Sequence, residues 1–210
     1  MRKPANPVKA KPAIPHLMPF QLEAFNGDKF IEKKFLELKE KYGIDNAVET
    51  GTCLGGTTLW LARNFEEVFT VERNPEYLKI AQHRAEEAEI ENIEWFLGDS
   101  AKELYEILIP DPTIYFLDAH WSTTCPLPQE LTAIQETMVS FPVICIHDFK
   151  TGDDRLGFDS IGNQPFEIEW LRPYLDKIYS DCEKGYSVEY NTFEKSEGAK
   201  RGIVYITPNL

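Results

Sequence analysis

A chain of 210 residues, 42% hydrophobic and 12% aromatic, is long enough to bury one substantial core and short for two. Its formal net charge of -13 argues against a nucleic-acid partner, which is held chiefly by clustered Lys and Arg, and the scattered acids read as a solvated surface. No run approaches the ~20 apolar residues of a membrane helix, and cysteines at 53, 125, 145 and 182 lack C-x-x-C spacing, so reduced thiols, a cytoplasmic location and no membrane partner are expected.

Residues 1–25 carry Pro4, Pro7, Pro12, Pro15 and Pro19 beside Arg2, Lys3, Lys9 and Lys11, a composition that forbids a regular helix. An extended arm is expected there, either an unstructured leader or a strap across a neighbouring subunit. One domain is expected over 26–210. Asp28 can cap a helix whose apolar stripe is Phe30, Ile31, Phe35, Leu38 and Tyr42, and Gly43 can end it.

Strand and helix signals then alternate. Asn46 to Thr50 precedes a helix from Thr57, Val68 to Glu72 one from Pro75, and Ile93 to Leu97 one from Ala101. Thr113 to Leu117 precedes a helix near Gln129 to Val139, and Val143 to Ile146 follows. This βα alternation specifies an α/β fold with a doubly wound, mainly parallel sheet and helices on both faces. After a helix near Phe166 to Tyr179, the runs Tyr186 to Phe193 and Gly202 to Ile206 stand too close for a parallel crossover. They must form a hairpin, which makes seven strands with an antiparallel one at the C-terminus.

The segment Ala47-Val-Glu-Thr-Gly-Thr-Cys-Leu-Gly-Gly-Thr57 reads as strand, glycine turn and helix. Glycines at 51 and 55 allow a sharp turn and close approach of backbone to a ligand. Glu72 ends the next strand about twenty residues on, where an acid can bind ribose hydroxyls. A nicotinamide-dependent oxidoreductase would use Gly51, Gly55 and Glu72 as well, but the third glycine of its fingerprint is missing.

From about residue 44 to 208 the chain resembles the Rossmann-like, class I S-adenosylmethionine-dependent methyltransferases. Glu49-x-Gly51-x-x-x-Gly55 looks like their first motif, and Glu72 matches the acid that binds the cofactor ribose. Gly98-Asp99-Ser100 is similar to their adenine-contacting turn, and Phe116-Leu-Asp-Ala-His-Trp121 to their fourth motif. The resemblance implies that Glu49, Gly51, Thr52, Gly55, Glu72, Arg73, Asp99, Ser100 and Asp118 bind S-adenosylmethionine. Simpler roles stay open: Glu49 capping the turn, Glu72 opening a helix, Asp99 capping one.

In the metal-dependent O-methyltransferases of this family, an Asp ending strand four and an acidic or Asp-Asn pair ending strand five bind a divalent cation. Asp118 matches the first and His147-Asp148 the second, which implies Mg, Mn or Zn at Asp118, His147 and Asp148. His147 is a departure, since an imidazole moves preference from hard magnesium toward manganese, iron or zinc. A metal-free acid/base site and structural capping are the other two readings of these residues. His120 and Asp118 are the catalytic candidates, with His120 as the base that takes a proton from an acceptor hydroxyl during in-line methyl transfer.

The loop His120 to Leu131 looks like that of a bacterial and phage branch of the family. Trp121 in it can stack on an acceptor or pack the loop, and Thr151 to Gly162 reads as a lid. O-methylation of a small-molecule or glycan hydroxyl is the expected function, and the arm and exposed aromatics would suit a homodimer. The alternatives are an NAD-dependent oxidoreductase and a cofactor-binding protein without catalysis.

Overall fold

The computed structural model describes residues 22–109, 112–120 and 125–210. The prolines of the expected arm, residues 1–21, and the expected acceptor contact at Trp121 lie outside the described residues.

Asp28 does cap the first helix, α1 (Lys29–Tyr42), accepting from the amides of Phe30 at 2.9 Å and Ile31 at 3.3 Å, and Gly43 ends it in the left-handed region. The second oxygen of Asp28 accepts from Ser196 Oγ at 2.7 Å and the Glu197 amide at 3.0 Å, which ties the start of the domain to its last connection.

Strand β1 (Asn46–Thr50) leads to α2 (Gly56–Asn64), β2 (Glu67–Glu72) to α3 (Pro75–Glu87), and β3 (Ile93–Leu97) to the short α4 (Ser100–Glu103). Then come β4 (Thr113–Leu117), α5 (Leu127–Thr137) and β5 (Val143–His147). A two-residue-per-strand hairpin, β6 (Ser160–Ile161) and β7 (Gln164–Pro165), precedes α6 (Ile168–Ile178), β8 (Tyr186–Tyr190) and β9 (Ile203–Pro208).

The seven-stranded sheet runs β3-β2-β1-β4-β5-β9-β8. β1 pairs in parallel with β2 and β4, and β9 lies antiparallel to both β5 and β8, as the spacing of the last two runs requires.

Strand residues are buried on both faces because helices cover both, so the strands read as continuous apolar runs. Alternation sends Ala47, Phe116 and Cys145 to one core with Ile31 and Phe35 of α1 and Leu61 of α2. Val48, Leu117 and Ile146 go to the other core with Leu131 of α5 and Leu171 of α6. Each such fully buried side chain contributes about 1.5–3 kcal/mol. Alternation therefore also settles where polar residues at strand ends must point.

Two expectations are adjusted. The fourth helix is one turn followed by a tight 3-10 turn, since Leu104 to Glu106 must return the chain toward β4 within a few residues. The segment from Thr151 to Gly162 is not a free lid. Asp159 N donates to Asp148 O at 2.8 Å, Gly157 N to Lys200 O at 2.9 Å and Gly202 N to Gly157 O at 2.8 Å, so it is stitched to the ends of β5 and β9.

Candidate functional site

In a sheet of this order the connections leave β1 toward β2 and enter β4 from the other side, which opens a crevice at the carboxyl ends of β1 and β4. Gly51 to Gly55 forms its floor. Gly51, Cys53 and Gly55 have φ of 88°, 50° and 78°, and these left-handed residues fold the loop back on itself. Gly51 N donates to Val71 O at 2.9 Å, Gly55 N to Thr52 O at 2.8 Å, and the Arg84 guanidinium reaches from α3 to the carbonyls of Leu54 and, at 3.0 Å, Leu22. A loop held on so many sides is preformed.

Glu72 ends β2 beside this loop. One of its oxygens accepts from the Cys53 amide and the other from the Asn74 amide, both at 2.8 Å. A carboxylate has about four acceptor positions, so each oxygen can accept one hydrogen bond more. Asp99 is exposed and caps α4 through the Ala101 amide at 3.2 Å. Arg73 is exposed next to Glu72.

Three of the residues that the resemblance implied as cofactor ligands lie beneath the surface of the loop and helix, buried as Glu72 also is. Glu49 is 1% exposed, because alternation turns it inward, and its Oε2 accepts the Thr58 hydroxyl and, at 2.7 Å, the Thr70 hydroxyl. It braces the glycine loop from beneath. Thr52 is also buried, its hydroxyl 2.6 Å from that of Thr70, and the Ser100 side chain is buried at the start of α4.

Burial pushes the Glu49 carboxyl up to about 8, against the pull of Thr58 and Thr70 and with a further push from the Asp118 and Glu72 charges. The folded chain then binds this proton more tightly than the unfolded chain does. The stabilisation is complete below pH ~4.5 and is lost as pH rises through about 8, at up to roughly 1.4 kcal/mol per pH unit. Glu49→Gln, which needs no proton, is expected to flatten that decline. Thermal melts of both proteins from pH 5 to 9 check this, and parallel curves would refute it.

Across the crevice, Asp118 follows β4 and Asp148 follows β5 with φ 55°, an uncommon backbone state that gathers at functional positions. His147 Nδ1 lies 3.4 Å from Asp118 Oδ1 and 3.3 Å from Asp148 Oδ1. His120 Nε2 lies 3.8 Å from Asp118 Oδ1 and 3.5 Å from Asp148 Oδ2. The four expected residues therefore meet. Burial works against both imidazolium ions, but Asp148 and Asp118 outweigh it, raising the His120 pKa and lifting that of His147 well above the ordinary range. Burial likewise opposes the Asp148 carboxylate, and His147 and His120 hold its pKa well below the usual range nonetheless.

His120 is 3% exposed, its ring set edge-on against Phe166 at 4.7 Å between centroids. A base must touch the proton it removes. Of the catalytic pair, Asp118 is the more open.

Two residues were missed. Arg201 pairs with both Asp148 and Asp159. Glu130 of α5 is fully buried, and neither its oxygens nor the nearby Thr50 Oγ1 has a hydrogen-bond partner among the described residues. Burial raises its pKa, opposed by Ser100, Thr50 and His120. A sequence signal existed for Glu130: it interrupts the apolar stripe Leu127, Leu131, Ile134 at a core-facing position.

The four thiols are free; burial raises the pKa of Cys53 to about 11 and that of Cys125 to about 12, so both stay protonated near neutrality. A groove of about 430 Å³ lined by Tyr42, Val139, Phe141 and Leu210 opens at the opposite, amino-terminal edge of the sheet and holds none of these groups. No helix among the described residues is long and apolar enough to cross a membrane.

No protein-family model and no curated protein sequence matches the chain. Solved structures do match its fold. A provisionally named caffeoyl-CoA O-methyltransferase from Staphylococcus aureus has a TM-score of 0.56 at 14% identity, over 87% of this chain and 84% of that one. A provisionally named methyltransferase from Streptococcus mutans, in complex with SAH, scores 0.53 at 12% identity, over 82% and 97%. An rRNA methylase from Streptococcus thermophilus scores 0.54 at 11% identity, over 83% and 94%. The chain has the class I methyltransferase fold.

Proposed function

We propose that this chain is an S-adenosylmethionine-dependent methyltransferase that methylates a hydroxyl of a small molecule or glycan in the cytoplasm, with a divalent cation at Asp118, His147 and Asp148. The observation that carries the reading is the meeting, at one sheet edge, of the left-handed glycine loop after β1, the Glu72 carboxylate after β2 and the Asp118 cluster after β4. The SAH complex of the Streptococcus mutans protein supports the choice of donor.

When bound, the donor supplies an electrophilic sulfonium methyl. The work of this chain is to hold and align. Gly51 and Gly55 let the backbone approach the donor, Glu72 offers its two remaining acceptor positions to the ribose hydroxyls, Arg73 flanks them, and Asp99 faces the adenine. Asp118 accepts the proton of the acceptor hydroxyl. Alignment of this kind is worth roughly 7 to 11 kcal/mol of barrier.

The donor set fits a divalent cation, because buried imidazole nitrogens without hydrogen-bond partners face carboxylates from two strand ends. Such an ion supplies Lewis-acid polarisation of a bound hydroxyl. The fold also serves an rRNA methylase, so fold alone leaves the acceptor class undecided, and the net charge of -13 is what favours a metabolite or glycan over a polyanion.

Calorimetry with S-adenosylmethionine and with NAD is expected to show binding of the first alone; the reverse result would overturn the reading in favour of an oxidoreductase. Incubation with hydroxylated metabolites, glycans and RNA, read by mass for one added methyl group, is expected to pick out a hydroxylated small molecule or glycan. Methylated RNA would overturn the acceptor class only.

A further inference from the structure

We infer that Glu130 of α5, Thr50 at the end of β1 and Ser100 at the start of α4 enclose an internal site for one water molecule, which braces the two turns that border the donor crevice. The bracing role rests on the reading of those turns as the donor site, whereas the water site stands on the packing alone.

Glu130 occupies a place where an acid has no ordinary reason to be. It lies on the core-facing stripe of α5 beside the buried Leu127, Leu131 and Ile134, and it is itself 0% exposed. Neither of its oxygens has a hydrogen-bond partner among the described residues. Thr50 is equally buried, and its Oγ1 is equally unpartnered. A carboxyl and a hydroxyl left in this way would cost the folded chain their whole hydration.

The three polar groups are close without being bonded. Burial raises the Glu130 pKa, and the Ser100 and Thr50 hydroxyls lie near enough to pull against it. Yet neither Glu130 oxygen meets the geometry of a direct bond to them. This is the spacing that a bridging water produces. Two groups bonded to one water at about 2.8 Å stand roughly 4.5 Å apart across its tetrahedral angle, beyond direct reach but close enough to polarise each other. An internal water makes about three hydrogen bonds to buried groups that are otherwise unsatisfied. Here three groups converge from three elements. A site closed to this degree suits a solvent molecule rather than any part of a donor or acceptor.

The residues that carry these groups explain what the water does. Thr50 immediately precedes Gly51, and its carbonyl receives the Asp118 amide at 3.0 Å. Ser100 immediately follows Asp99. α5, which carries Glu130, packs on α4 and on the 3-10 turn after it. A water held by all three ties the glycine loop after β1 to the turn after β3, two pieces of backbone that must keep their separation for one adenosyl group to span them. Glu130 is thus a positioning residue that touches neither donor nor acceptor.

A crystal structure of the native protein at better than about 2 Å is expected to show one water within hydrogen-bond distance of the Glu130 carboxyl, Thr50 Oγ1 and Ser100 Oγ. Glu130→Gln keeps the polar contacts and is expected to retain the water and the native melting temperature to within about 2 °C. Glu130→Met, of similar length but apolar, is expected to lose the water and to melt about 2–10 °C lower. A carboxyl with no partner at all would give the opposite result, because an apolar side chain of the same shape then raises the melting temperature. For the brace, calorimetry is expected to show S-adenosylmethionine weakened at least about fivefold by Glu130→Met and restored in Glu130→Gln. Ile134→Val, on the same stripe, controls for lost stability and is expected to bind the donor as the native chain does. No water in the native crystal, or a Glu130→Met protein that melts at or above the native temperature, would overturn the site. Unchanged donor affinity in Glu130→Met, or equal weakening in Ile134→Val, would overturn the brace. A native chain that binds no S-adenosylmethionine would overturn the donor reading and the brace with it, and the water site would then stand or fall on the crystal and the melts.

Discussion

Gly51→Ala is expected to destabilise the protein by about 2 to 6 kcal/mol. A Cβ at residue 51 would lie 2.4 Å from the Asp118 carbonyl oxygen and 3.1 Å from the Ala119 Cα, both backbone atoms that no rotamer change can move. The residue also sits at φ 88°, where a side chain costs about 1–3 kcal/mol before any clash is counted. Overpacking adds about 1–3 kcal/mol more. The neighbourhood cannot relax, since Gly51 N is fixed to Val71 O and Asp118 N to Thr50 O at 3.0 Å, clamping the loop between β2 and β4. With a shift of about 2–4 °C per kcal/mol for a chain of this size, a thermal melt reads the change directly. An unchanged melting temperature would mean that the ends of β1 and β4 do not pack as described.

Glu72→Ala is expected to weaken S-adenosylmethionine by about 1.5 to 3 kcal/mol, or roughly 10- to 150-fold, the range for hydrogen bonds to a charged group. The carboxylate acts twice. It orients the Cys53 and Asn74 amides at 2.8 Å, and so shapes the loop after β1, and in the proposed role it presents its remaining lone pairs to the ribose. Titration calorimetry on native and variant proteins measures the difference. Equal affinities would remove Glu72 from the donor site.

Most of the sheet was legible because its strands are short apolar runs ending in polar residues, and because the interval between the runs ending at Phe193 and starting at Gly202 is too short for a parallel crossover. Asp118, His147 and Asp148 could be grouped from strand order alone, since β4 and β5 are neighbours and end on the same edge. Burial was the part that did not transfer. Glu49 stands one residue from a strand end, and only the alternation of faces shows that it points under the loop toward Thr58 and Thr70 rather than into the crevice.

Arg201 could not be read as a single residue in a polar connection. Its role appears once the register pairs His147 with Ile203, which brings the approach to β9 alongside Asp148. Glu130 was overlooked because a helical acid reads as solvated until its neighbours in the stripe are counted.

The final strand, β9, is an interior member of the sheet, inserted between β5 and β8. During synthesis the flank of β5 must therefore wait, its amides and carbonyls unclaimed, until residues 203–208 have emerged and folded back. A chain truncated before Ile203 would lose the centre of that half rather than a margin. Its bare strand would be a template for pairing with other nascent chains, and a chaperone would be its natural guardian in that interval.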